Sequence, residues 1–211
     1  MKTWIVCTGE DSKRWPERCD GNTFEEAARR AEDRIAEPLT GKKMNAEGCV
    51  IYIAPTESAR QTAELCFIGG FFREEPLLAP VKLRAFTQRG VHSIRVWREM
   101  ARLQRAVGDP RQPEGRKQIL QRAETLIQRL SEEGKNAMLV ADCLLTEALL
   151  ERLRAHGCDV SRSEIFSLKP WERILVTDRS LRCGGCTNNC LLANPGCARG
   201  LDKARRMKKK Q

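Results

Sequence analysis

Short apolar runs alternate along the chain with longer segments in which apolar residues recur at the spacing of a helix. The apolar runs predict buried strands, because a strand that is covered on both faces carries apolar side chains in both directions. The predicted strands cover residues 3–7, 49–54, 136–143, 164–168 and 173–177. The helical spacing predicts helices over 24–37, 93–107, 116–134 and 144–157. It predicts one more helix, which begins at Thr56 and ends at Gly69-Gly70.

Local signals set the boundaries of the first helix and indicate the architecture. Asp20-Gly21 indicates a turn, and Thr23 with Glu26 matches a capping box, in which each side chain bonds the other residue's backbone N–H. Pro38 should end this helix, because the residue before a proline avoids helical backbone angles. Since strands and helices alternate, we predict a mostly parallel sheet between layers of helices, a three-layer α/β sandwich, over residues 1–178.

The composition is typical of a globular cytoplasmic protein. Of the 211 residues, 41% are hydrophobic and 31% are charged. No apolar run approaches the roughly 18–20 residues that a membrane-spanning helix needs, and the apolar patch near the start is too short for a signal peptide. We therefore expect a cytoplasmic location without membrane contact, where thiols stay reduced and the ten cysteines do not form a disulfide framework.

Four cysteines are concentrated in the segment 179–200. Cys183, Cys186, Cys190 and Cys197 have the spacing C-x2-C-x3-C-x6-C, which is compact enough for four thiolates to surround one metal ion. The segment is too short to bury an apolar core, so metal binding would supply its folding energy. We predict a structural zinc, with an iron–sulfur cluster as the alternative and disulfides or free thiols as a third reading.

The net charge of +10 is concentrated towards the C-terminus. The basic tail, residues 201–211, carries six Lys or Arg residues against Asp202. Such a tail predicts weak, salt-sensitive contact with polyanions such as nucleic acid, and the alternative is a solvated terminus that only aids solubility. The cysteine cluster contains no aromatic residue, which disfavours recognition of bases by stacking.

Two stretches carry a family likeness. The segment IYIAPTESARQTAEL (51–65) resembles the strand, turn and helix of the histidine phosphatase superfamily, also called phosphoglycerate mutase-like. The segments PEGRKQILQRAETLIQRL (113–130) and NAMLVADCLLTEALLERL (136–153) look like that family's late helix, strand and helix. The resemblance implies that fold, in which the first and third buried strands are neighbours. It also implies a phosphate pocket with a nucleophilic His, a second His and two or three Arg.

The chain departs from the family at the residues that carry this chemistry. Cys7 and Thr8 replace the Arg and the nucleophilic His after the first strand, Ser58 replaces an Arg, and Asp142 replaces the second His. Without the imidazole no phosphohistidine can form, and Asp142 should repel a phosphate. The resemblance therefore implies a vestigial pocket made of Cys7, Thr8, Ser58 and Asp142. Arg60 should be a solvent-facing helix charge.

The sequence thus favours a catalytically inactive, histidine-phosphatase-like protein with a C-terminal metal site. It would act as a binding or regulatory scaffold for a protein partner that the sequence does not identify. One alternative is an enzyme whose chemistry has moved to Cys7, Glu10 and Asp142; another is a nucleic-acid-binding module that uses the zinc segment and the basic tail. Cys7 and Cys143 could also approach each other beside Asp142 as a metal or redox site, although such cysteines are more often apolar core residues.

Overall fold

A computed structural model of the chain describes residues 2–9, 15–30, 43–87, 89–133, 137–160, 165, 168–177 and 196–208. Within these residues the strands are β1 (Lys2–Cys7), β2 (Arg18–Cys19), β3 (Met44–Asn45), β4 (Val50–Ile53), β5 (Phe67–Ile68), β6 (Phe71–Glu74), β7 (His92–Ser93), β8 (Ala137–Ala141) and β9 (Arg173–Thr177). The helices there are α1 (Gly21–Arg30), α2 (Glu57–Cys66), α3 (Ile94–Val107), α4 (Arg116–Glu133), α5 (Cys143–Ala155) and α6 (Ala198–Lys208), and a 3-10 turn covers Pro76–Leu78.

Five strands form the central sheet in the order β6-β4-β8-β1-β9. The first four run parallel, and β9 pairs with β1 in the antiparallel direction. Every residue of β8 is buried, which explains its unbroken apolar sequence. The fold is therefore mixed α/β with a mostly parallel sheet, as the alternating pattern predicted. The first and third buried strands, β1 and β8, are neighbours.

Side-chain caps fix where three helices begin. The N–H of Ala59 donates to Thr56 Oγ1 over 3.3 Å at α2, and the N–H of Val96 donates to Ser93 Oγ over 3.4 Å at α3. At α5, the N–H of Leu145 donates to Asp142 Oδ1 over 2.9 Å. These bonds satisfy N–H groups that have no partner inside the helix, so local sequence alone sets these starts.

The first helix begins earlier than its predicted capping box. Asp20 is the cap of α1, because its Oδ1 accepts the N–H of Thr23 over 2.8 Å and its carbonyl accepts the N–H of Phe24. Thr23 therefore lies inside the first turn, and the capping box with Glu26 is wrong. An Asp directly before Gly21 supplies the acceptor three residues upstream. The predicted end of this helix, before Pro38, lies outside the described residues.

Three further elements differ from the sequence patterns. The helix α2 ends at Cys66 rather than at the glycines, because Phe67 and Ile68 pair with Met44 and Asn45 as strand β5. The following residues form β6, which was not predicted as a strand and pairs with β4. Of the predicted strand over 164–168, only Ile165 and Leu168 are described, and neither lies in a strand.

A small second core lies apart from the core of the sheet. Its buried residues are Cys19, Phe24, Ala85 and Trp97, which come from β2, α1, the chain before β7, and α3. The Trp97 ring lies 5.4 Å from the Phe24 ring and 4.6 Å from the Phe86 ring, between centroids. This aromatic core fastens α1 to α3.

Most of the cysteine segment lies outside the described residues. Cys183, Cys186 and Cys190 belong to that undescribed part, so their predicted metal site stays a prediction. Cys197 is partly exposed, and its Sγ accepts the N–H of Gly200 over 3.3 Å at the start of α6.

Within the described part of the chain, no helix combines the length and apolar character that crossing a membrane requires.

Candidate functional site

A cleft of about 1020 Å³ opens where three parallel strands end. Thr8 follows β1, Ser58 lies in the first turn of α2 after β4, and Asp142 directly follows β8, and all three line this cleft. The carboxyl edge of a parallel sheet is the usual place for ligands, because the loops that follow neighbouring strands converge there. The structure thus brings together three of the four residues of the expected vestigial pocket.

The fourth residue, Cys7, faces elsewhere. Its side chain is completely buried and does not line the cleft, whereas Cys143 does line it. Cys7, Cys143 and Asp142 are all described, and no group of three or more His, Cys, Asp or Glu suited to a metal occurs among the described residues. The burial of Cys7 is typical of an apolar core residue, and the alternative of a metal or redox site formed by these three residues stays a prediction.

Asp142 is committed to the backbone. Its Oδ1 caps α5, and its Oδ2 accepts the N–H of Val81 over 2.7 Å, which ties the chain after the 3-10 turn to the end of β8. Burial raises the pKa of this carboxyl, and backbone N–H groups, led by that of Leu145, oppose the rise. Both oxygens of Asp142 are thus bonded inside the fold, and the repulsion of a phosphate by this carboxyl stays a prediction.

The hydroxyl groups of the cleft are also engaged. Ser58 is buried, and its Oγ lies 3.2 Å from Thr56 Oγ1. Thr62 Oγ1 donates to the Ser58 carbonyl over 2.7 Å and accepts the N–H of Gly9 over 2.9 Å, which fixes the end of β1 against α2. Among the described residues, the hydrogen bonds of these oxygens join them to each other and to the backbone and not to an imidazole or a carboxylate, which is typical of a structural role.

Both histidines of the chain lie away from the cleft. His92 sits in β7 with its ring 5.2 Å from the rings of Phe86 and Trp97, so it belongs to the small aromatic core. His156 ends α5, and its Nε2 lies 2.7 Å from Glu124 Oε1 at the surface. Since the chain has only these two histidines, no imidazole lines the cleft.

The basic residues of the cleft were missed by sequence reasoning. The described lining contains six basic side chains against four acidic ones, namely Arg29, Lys82, Arg84, Arg98, Arg102 and Arg105 against Glu25, Glu26, Glu99 and Asp142. Three of the basic residues belong to α3. The sequence predicted this amphipathic helix but did not predict which of its faces lines the cleft. The available signal was the pair Gln104-Arg105, which continues the buried side of Trp97 and Ala101 at helical spacing.

Polar contacts hold α3 against the segment that forms the cleft wall. The buried side chain of Gln112 donates from Nε2 to Gln104 Oε1 over 2.8 Å and to the Arg84 carbonyl over 3.1 Å. Gln104 Nε2 in turn donates to the Phe86 carbonyl over 3.3 Å. These bonds position residues 82–84, which form one wall of the cleft. In the same cleft, the guanidinium of Arg98 stacks on the Trp15 ring, 4.4 Å from its centre.

Arg60 does not contribute to the cleft. Its Nη2 donates to Glu74 Oε1 over 2.6 Å, and about half of each side chain is exposed. This surface ion pair across α2 and β6 agrees with the expectation of a solvent-facing helix charge.

No protein-family model matches this chain, and no curated protein matches it significantly.

Proposed function

We propose that this chain is a catalytically inactive, histidine-phosphatase-like protein whose cleft binds a ligand without converting it. The carrying observation is that neither histidine lines the cleft. The neighbouring β1 and β8, and the convergence of Thr8, Ser58 and Asp142 at one edge, support the family resemblance. The position and size of the cleft suit a ligand, and the absence of an imidazole from its lining supports binding without phosphohistidine chemistry.

The relocated-enzyme alternative has less support. Of its three residues, Cys7 is buried outside the cleft, Asp142 is bonded to the backbone, and Glu10 lies outside the described residues. A regulatory or scaffolding role, in which ligand binding changes the contact with a protein partner, fits the remaining features better.

The purified protein should not hydrolyse aryl phosphates or phosphoglycerates, because phosphoryl transfer to a protein side chain needs an activated nucleophile. Release of inorganic phosphate over hours, compared with a blank that contains buffer alone, is the measurement. Thr8→Ala and Ser58→Ala remove the hydroxyls at the two positions that could replace the nucleophile. Turnover in the wild-type protein that disappears in either variant would contradict the proposal.

We further propose that Cys183, Cys186, Cys190 and Cys197 hold a structural zinc. The support is their spacing, which suits a tetrahedral four-thiolate site that has no open position for catalysis. The helix α6 begins directly after the fourth cysteine, so the metal would anchor this helix.

Elemental analysis of the purified protein should find about one zinc per chain, since one four-cysteine site holds one ion. Cys183→Ser and Cys197→Ser should lose the metal, and Cys49→Ser, which changes a cysteine outside the cluster, should retain it. A brown protein that contains iron would replace zinc by the iron–sulfur alternative. Metal-free protein whose two cluster variants are as stable as the wild-type chain would refute any metal site.

The basic helix supports a secondary contact with polyanions. In α6 the Arg206 Nη2 donates to Asp202 Oδ2 over 2.8 Å. Asp202 is the one acidic residue of the tail, and this ion pair balances its negative charge. We propose weak electrostatic attraction to nucleic acid or other polyanions here, as an addition to the cleft rather than the main function.

A further inference from the structure

We propose that the cleft binds an organic monocarboxylic acid and that Arg105 holds the carboxylate of this ligand. The inference rests on the proposed function, because it names the ligand class of the same non-catalytic cleft. Arg105 lies in the last turns of α3, lines the cleft and is only 5% exposed.

Among the described residues, the Nη1 of Arg105 has no hydrogen-bond partner. Its Nη1 is buried without an acceptor, and its side chain makes no hydrogen bond or ion pair to any described residue. Burial lowers the pKa of this group, because a positive charge is less well solvated away from water. A buried N–H without an acceptor costs stability, so a ligand that supplies the acceptor would bind here with a gain.

The acidic residues around Arg105 are already committed to other groups. Asp142 accepts two backbone N–H groups, as described above. Glu147 Oε2 accepts from Arg102 Nη2 over 2.6 Å, and Glu114 Oε2 accepts from Arg122 Nη2 over 3.0 Å. These three carboxylates act on Arg105 only through their electric field. They leave its N–H groups for a ligand.

Arg105 and Asp142 together favour a singly charged ligand. Arg105 can balance a monoanion, and of the three acids that act on Arg105 only Asp142 lines the cleft, where it would repel the second charge of a phosphate dianion. A planar carboxylate also matches the fork of a guanidinium, with two parallel N–H bonds. These features favour a carboxylate over a phosphate.

The apolar side chains of the cleft favour a ligand that has an apolar ring or chain attached to its carboxylate. Its volume of about 1020 Å³ greatly exceeds that of a small ion. Apolar side chains line it beside Asp142, among them Val81, Leu144 and Leu168. An acid that carries a ring or an alkyl chain would bury apolar surface there while its carboxylate reaches Arg105.

Three probes with the same ring and different head groups test this inference. Benzoate, phenyl phosphate and benzamide are titrated into the full-length protein, with calorimetry and the Trp15 indole N–H resonance as readouts, because Trp15 lines the cleft. We expect saturable binding of benzoate with a Kd on the order of millimolar, as suits so small a ligand. Phenyl phosphate should bind more weakly, and benzamide should show no saturable binding.

Variants then assign the contact. Arg105→Met should weaken benzoate binding by about tenfold or more, because the charge-assisted bonds are lost. It should fold, since it replaces a buried charge without a partner by an apolar chain of similar length. Arg105→Lys keeps the charge and should lose less affinity. The matched control is Arg95→Met, which changes an exposed arginine of the same helix outside the cleft lining.

Each contrary outcome has a distinct meaning. Equal benzoate affinity in Arg105→Met and wild type would refute the role of Arg105. Phenyl phosphate binding at least as tightly as benzoate would refute the carboxylate class, and no binding of either anion would refute the anion site. Release of phenol from phenyl phosphate would instead overturn the proposed non-catalytic function, whatever the affinities are.

Discussion

Replacing Trp97 by alanine should lower the free energy of unfolding by about 3–5 kcal/mol, the usual cost of truncating a fully buried aromatic residue. Trp97 is completely buried, its ring packs on Phe24 and Phe86, and its Nε1 donates to the Cys19 carbonyl over 2.9 Å. One side chain therefore connects α1, α3 and β2. Urea unfolding followed by circular dichroism measures the loss.

The effect should be confined to the small core. Hydrogen exchange should accelerate in α1 and α3, whereas β1, β4 and β8 should stay protected, because their core consists of other residues. Trp97→Phe keeps most of the ring and should cost about 1–2 kcal/mol, and Val96→Ala, a neighbour that is 41% exposed, should cost little. Equal acceleration across the sheet would show that the two cores do not separate.

Replacing Asp142 by alanine should cost about 2–3 kcal/mol, the second largest loss that we expect. The substitution removes the cap of α5 and also leaves the N–H of Val81 without its acceptor. Since Val81 is buried, water cannot readily replace that bond. Thermal and urea unfolding measure the loss of stability, and benzoate affinity should fall as well, because the wall segment after the 3-10 turn is released.

Asp142→Asn is the matched control for charge. Asparagine caps helices as well as aspartate does, but its amide has one acceptor oxygen where the carboxyl has two. This variant should therefore keep the cap of α5 and lose the bond to Val81, at a cost of about 1–2 kcal/mol. A loss as large as that of Asp142→Ala would contradict the separate contributions of the two bonds.

The contribution of Asp142 to the free energy of unfolding should depend on pH in a definite direction. The folded-state pKa of Asp142 is raised above its unfolded value, so the native state binds the proton more tightly. The resulting stability is fully present below the unfolded pKa and is lost as the pH rises through the folded pKa. The wild-type protein should therefore lose stability relative to Asp142→Asn over that window, and the opposite slope would contradict the raised pKa.

The cleft could be predicted only in part. The resemblance to the histidine phosphatases implied Thr8, Ser58 and Asp142 as pocket residues, and the structure brings all three together at the ends of β1, β4 and β8. Arg105 was not found, because no local pattern distinguishes an arginine that enters a cleft from one on a solvated helix face.

The helix α3 shows why. Its sequence carries one stripe of Trp97 and Ala101 and another of Val96, Met100, Leu103 and Val107, and either could face a core. In the folded protein the second stripe is exposed, and the first continues inward through Gln104 and Arg105. Contacts with residues far away in the chain, such as Phe24, Phe86 and Gln112, decide between the stripes.

The sequence by itself determined the alternation of strands and helices, the start of α2 at Thr56, and the absence of an imidazole from the positions matched to the histidine phosphatases. The elements and their starts depend on side-chain periodicity and on bonds between residues a few positions apart. Such local features are present in the sequence whatever the tertiary structure is. Only the tertiary structure decided that β6 pairs with β4, that Asp142 also binds Val81, and that Arg105 is buried in the cleft. Each of these depends on groups that are distant in sequence, and their meeting is governed by the packing of the whole domain.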